Sequence, residues 1–226
     1  MIRRGNCQVD SGRVQTAAVG RIRQPLTQRI GRVEGATHFA WEREIRNVSF
    51  REGDPAAMTF DRPFDAVVGR YVLLFQAAAA DMVRRLSRHV RPGGLVLFHE
   101  PDWVSARSIP PAPTYDRCCG WIRDTFRNAG TDSDMAGKLY VAFVDAGLPA
   151  PSMQMQTFIG GGATSAEFVQ AVADLVGILI PAIERLGIAT RSEVDHNTLS
   201  ERLRQELEAR ASVVVGRSEV TAWSRM

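Results

Sequence analysis

Phe64-Asp65-Ala66-Val67-Val68-Gly69, the segment Ala77 to Val90, Arg91-Pro92-Gly93-Gly94 and Leu95-Val96-Leu97-Phe98-His99 form the stretch whose reading decides the fold. The first piece is a short apolar, β-prone run. The last is a continuous apolar run, as expected for a strand covered on both faces. Between them Met82, Val83, Leu86 and Val90 recur at helical spacing, with Arg84, Arg85 and Arg88 off that face. Pro92-Gly93-Gly94 predicts a firm stop to the helix. Strand, helix, break and strand make a βαβ unit, and the right-handed crossover rule turns it into half of an open α/β sheet.

Working outward, Asn47-Val48-Ser49-Phe50-Arg51 predicts a further parallel strand, closed by the turn chemistry of Glu52-Gly53-Asp54-Pro55. Downstream, helices are expected over Pro113 to Asn128, Asp134 to Asp145 and Ala166 to Leu186. Ser152 to Phe158 alternates as a half-buried strand. Leu199, Leu203 and Leu207 mark a last helix, and 212–223 supplies a final antiparallel element. Residues 1–40 keep no sustained period, with at most a weak strand or hairpin from Gly12 to Ile22. The expected organisation is an irregular, aberrant arm over 1–46 and one mostly parallel α/β domain over 47–226, with a helical cover at 113–188.

A chain of 226 residues, 45% hydrophobic and 23% charged, suits one domain with a sizeable core. Cys7, Cys118 and Cys119 build no disulfide framework, and His38, His89, His99 and His196 are too scattered for a zinc site. A reducing, cytoplasmic setting without a metal is the expectation. The longest apolar stretch, Phe168 to Ile183, is broken by Asp174 and Pro181 and reads as too short for a bilayer. The net charge of +3 is unevenly spread. The first 53 residues carry ten arginines against five acids, while the remainder holds 18 basic and 20 acidic residues. That front has few aromatic stacking groups and no nucleic-acid motif, so nucleic-acid binding is disfavoured.

The segments 47–54, 64–70 and 86–100, in this order and spacing, resemble the second half of a class I S-adenosylmethionine-dependent methyltransferase. The closer similarity is to the small-molecule branch that includes the quinone-biosynthesis methylases, and it covers about residues 41–226. It implies a Rossmann-like sheet with incomplete N-terminal strands. It further implies that Asp54, with Pro55 beside it, accepts a hydrogen bond from the adenine amino group. Backbone near Gly69 and Arg70 would face the methionine part of S-adenosylmethionine. The chain departs from the family before Asn47, where neither the glycine-rich loop nor the acid that holds the ribose hydroxyls is present. Weak or absent cofactor binding is therefore expected. A truncated or frameshifted gene front, or a member that has lost cofactor binding, would account for the departure.

Other candidates rest on their place at strand ends, where ligands sit in open α/β sheets. Only one of His99 and Glu100 can face the cleft, and Glu100 is the expected general base. Tyr71 and Trp103 are expected to line a substrate pocket. Asp54 reads equally well as a turn former. Trp121 reads as helical packing, Cys118 and Cys119 as buried small hydrophobes, and His196 as part of a capping region. Gly160-Gly161-Gly162 lies between a strand and a helix, but reads as a loop because no strand ending in an acid follows. The expected activity is methyl transfer to a small apolar or aromatic molecule. The alternative is a non-catalytic remnant or partner-binding subunit, whose unpaired sheet edge would admit a second copy of the chain.

Overall fold

The computed structural model describes residues 16–18, 38, 41–44, 48–50, 53–54 and 57–226. The chain divides into two compact units, Met1–Asp61 and Arg62–Met226. In the first, β1 (Thr16–Ala18) pairs in parallel with β2 (Val48–Phe50). β2 falls within the strand expected over 47–51, but it belongs to this two-stranded sheet rather than to the larger parallel sheet expected. β1 bears out the weak strand, rather than the hairpin, read between Gly12 and Ile22, and it pairs in parallel with a distant strand.

The second unit is built on a mixed five-stranded sheet. β3 (Phe64–Arg70) and β4 (Val90–Asp102) run in parallel. β4, β5 (Arg107–Ile109) and β6 (Ser152–Gly161) each lie antiparallel to β7 (Val213–Arg225). β7 alone therefore runs against the rest, which is the expected mostly parallel sheet with a reversed C-terminal strand. β5 is too short to show a pattern in sequence. Its Ser108 donates to the Asp116 carboxylate from both N–H and hydroxyl, at 2.8 and 2.9 Å.

Helix α1 (Ala79–Ser87) ends earlier than expected, and Pro92-Gly93-Gly94 lies inside β4 rather than between helix and strand. The register jumps from Phe64 opposite Val90 to Ala66 opposite Leu95, so the segment forms a bulge. Gly94 is required there, because a Cβ would stand 2.7 Å from the Asp65 carbonyl oxygen and 2.5 Å from Val90 Cγ1.

One face of the sheet carries buried Val96 and Phe98, and Phe98 meets Phe143 of α3 (Met135–Asp145) edge to face. A second helical layer joins α2 (Pro113–Asn128), α4 (Ala166–Arg185), the short α5 (Arg191–Val194) and α6 (His196–Ala209), packed with Trp103 and with Val214 of β7. The span Gly162–Arg185, which holds α4, is long and apolar enough by length and composition to cross a membrane. That corrects the shorter span expected from the interrupted run. Val169, Val172, Val176, Ile180 and Ile183 on this helix are buried within the layer.

Candidate functional site

β3 and β4 end side by side, with Arg70 in register with His99. Just past β3, Tyr71 adopts φ +54°, a conformation that a bulky residue rarely takes. Its N–H still donates to the His99 carbonyl at 3.0 Å. The chain then turns into a single 3-10 turn, Leu73–Phe75.

Glu100 explains that turn. Its side chain is fully buried, and its two carboxylate oxygens accept from the N–H groups of Val72 (3.0 Å), Leu73 (2.8 Å) and Leu74 (3.3 Å). These are the donors that a helical turn leaves unsatisfied at its start. Burial pushes the Glu100 carboxyl above its ordinary value, against the three backbone bonds that favour the charged form, and the nearby charge of Glu219 adds to the rise. The expectation of Glu100 as a base open to a cleft is therefore corrected, because the carboxylate is sealed under the turn it organises.

The opposite face at the same strand ends carries a polar cluster. Glu219 of β7 accepts from the Tyr71 hydroxyl at 2.6 Å and from Arg217 Nε at 2.7 Å. Its other oxygen meets His99 Nε2 at 2.9 Å. His99 Nδ1 lies 3.0 Å from the Thr221 hydroxyl. An ionised carboxylate only accepts, so Nε2 carries the proton in the Glu219 bond. Burial works against the charge on Glu219, but the hydrogen bonds from Tyr71, Arg217 and His99, with the Arg217 charge, hold its carboxyl below the ordinary value.

Two guanidiniums flank Tyr71. Arg217 Nη2 donates to its hydroxyl at 3.1 Å, and Arg70 Nη2 reaches the same oxygen at 3.4 Å. The Arg70 guanidinium carbon also sits 4.8 Å from the Tyr71 ring centre. Arg217 lies 5.4 Å from the ring centre of Trp103, so it fills the space between the two aromatic side chains expected to line a pocket. Trp103 itself belongs to the helical core and is only 3% exposed.

The structure thus gathers Arg70, Tyr71, His99 and Trp103, and adds Arg217, Glu219 and Thr221, which sequence reasoning missed. The available signal was Arg217 and Glu219 two apart in a β-prone segment that opens with Val213-Val214-Val215, a spacing that puts both on one face. Gly69 is a packing glycine, since a Cβ would meet the Phe98 ring at 2.4 Å. Asp54 lies in the first unit, where its carbonyl accepts from the N–H groups of Ala57 and Met58 in a turn. Pro55 and Cys7 lie outside the described residues. Trp121 is buried in the helical layer. Cys118 and Cys119 are buried there too, and burial raises both thiols to about 12, which leaves them unreactive. Gly160 and Gly161 end β6 and Gly162 opens a 3-10 turn leading into α4.

Residues 29–98, under half of the chain, match a family described as a methyltransferase domain. No curated protein matches the chain. Among solved structures, YcgJ of Bacillus subtilis is 16% identical, with a TM-score of 0.50 over 94% of this chain and 83% of that one. A proposed methyltransferase of Bacillus halodurans C-125 is 16% identical, with a TM-score of 0.50 over 93% and 82% of the two chains. At this identity the two structures show a shared fold.

Proposed function

We propose that the chain is a class I S-adenosylmethionine-dependent methyltransferase that transfers a methyl group from S-adenosylmethionine to a small apolar or aromatic molecule. The observation that carries this reading is the cluster of Tyr71, His99, Arg217 and Glu219 at the joined carboxyl ends of β3 and β4. Ligands of open α/β sheets sit at that edge. When bound, the cofactor supplies a methyl group already activated on a sulfonium, so the protein has to align rather than activate.

The residues present fit the methionine end of such a cofactor. Arg70 is exposed at the end of β3, and the strained Tyr71 turns the backbone away from the sheet directly after it. The glycine loop and ribose acid have no counterpart in residues 1–46, which supports weak cofactor binding. Glu100 shapes the turn after β3.

The test is methyl transfer at millimolar S-adenosylmethionine against a panel of small hydroxylated aromatic compounds, read as S-adenosylhomocysteine. Formation above the acceptor-free rate supports the reading. A flat response across the panel favours a second one, a non-catalytic subunit that pairs through its sheet edge. The observation behind that alternative is β3. Among the described residues only β4 pairs with it, and its Val68 is 67% exposed.

A further inference from the structure

The two guanidiniums around Tyr71 are not equivalent. Arg217 is half-buried and ion-paired with Glu219 at 2.7 Å, with side-chain exposures of 32% and 21%. Among the described residues Arg70 makes no ion pair, and its one hydrogen bond is the long contact to the Tyr71 hydroxyl. Arg217 spends Nε on Glu219 and Nη2 on Tyr71, while Nη1 has no hydrogen-bond partner among the described residues. Two planar donors thus converge on one phenol oxygen, and each keeps N–H groups to spare. The nearby acids are already committed: Glu219 accepts three bonds, and Glu100 lies sealed beneath the 3-10 turn. His99 is engaged at both ring nitrogens. The unsatisfied capacity of the cluster is therefore all donor and cationic, beside the aromatic ring of Tyr71. Strain also concentrates here, at the φ of Tyr71, where backbone outliers accompany ligand clamps.

We infer that the methyl acceptor is an anion, a small molecule with an aromatic or apolar body whose carboxylate is gripped by Arg70 and Arg217 beside Tyr71. This names the substrate class for the methyl-transfer reading and rests on it. Guanidinium donors suit a planar carboxylate because two parallel N–H···O bonds can form at once. A neutral molecule of the same shape would leave those donors unmatched. A cationic one would be repelled by them.

The experiment uses the full chain and three probes of matched shape: benzoate, benzyl alcohol and benzylamine. Binding is followed by saturation-transfer NMR and tryptophan fluorescence, with S-adenosylhomocysteine titrated in parallel. Benzoate is expected to bind about tenfold more tightly than benzyl alcohol, and benzylamine not at all, as a charge-assisted bidentate contact implies. Arg70→Met changes an exposed side chain whose only hydrogen bond is the long one to Tyr71, so it leaves the fold intact and weakens benzoate about fivefold or more. Arg217→Met abolishes the preference for benzoate. Equal binding of benzoate and benzyl alcohol overturns the inference, as does no benzoate binding up to its solubility limit or an Arg70→Met variant of unchanged affinity. Benzoate binding without S-adenosylhomocysteine binding would keep the anion site and count against methyl transfer. The reverse outcome would keep methyl transfer and remove the anion site.

Discussion

A carboxylate as deeply buried as Glu100 costs several kcal/mol unless its oxygens are satisfied, and the N–H groups of Val72, Leu73 and Leu74 satisfy them. Glu100→Ala would orphan all three donors and is expected to cost about 3 kcal/mol in urea unfolding. A loss near zero would mean that the turn does not depend on it. Glu219 works the other way. Its folded-state value lies below the ordinary carboxyl, so its stabilisation is present above that value and is lost as pH falls through it. The stability gap between the native chain and Glu219→Gln should therefore shrink from pH 7 to about pH 3, measured by denaturant midpoints. A gap that grows on acidification would contradict the assignment. Gly69→Ala is expected to cost about 1–3 kcal/mol, because its new methyl would enter the Phe98 ring. The sequence placed Glu100 and His99 on opposite faces by simple alternation. It could not say which face held a cleft, because that depends on where the chain turns after Gly69.

At the level of elements, long patterned helices were legible and short pieces were not. Pro113–Asn128 coincides with its expected bounds because Pro113 sits where the first turn tolerates it and the apolar positions recur through to Phe126. β5 and α5 were invisible because they are held by Asp116, by β7 and by the Thr190–Glu193 capping box, partners that a local pattern does not reveal. Pro92-Gly93-Gly94 was read as a break, yet pairing with β3 turns it into a bulge. The α4–α6 contact offers a test that reverses a local rule. Gly177 stands inside α4, where alanine normally favours a helix by about 1 kcal/mol. Here a Cβ would fall 2.4 Å from the His196 ring, so Gly177→Ala is expected to destabilise the fold. Adding His196→Ala should restore the loss, and a double-mutant cycle measures the coupling. A stabilising Gly177→Ala alone would show that the two helices do not meet as described.

Across the whole molecule, the α/β sheet was readable from a few segments in the right order, whereas the polar cluster needed the return of β7 across the sheet. Arg217 and Glu219 are far from Tyr71 in the chain, and only the antiparallel pairing of β7 with β4 brings them there. The central proposal is a methyltransferase-like fold whose cofactor shell is reduced on its N-terminal side. Losing three or four hydrogen bonds at about 1 kcal/mol each weakens a micromolar site by about two to three orders of magnitude. Isothermal titration of the purified 226-residue chain with S-adenosylmethionine tests this most directly. The expected dissociation constant is about 100 μM or weaker. A constant in the low micromolar range would contradict the account, and would mean that residues 1–46 supply the cofactor contacts themselves.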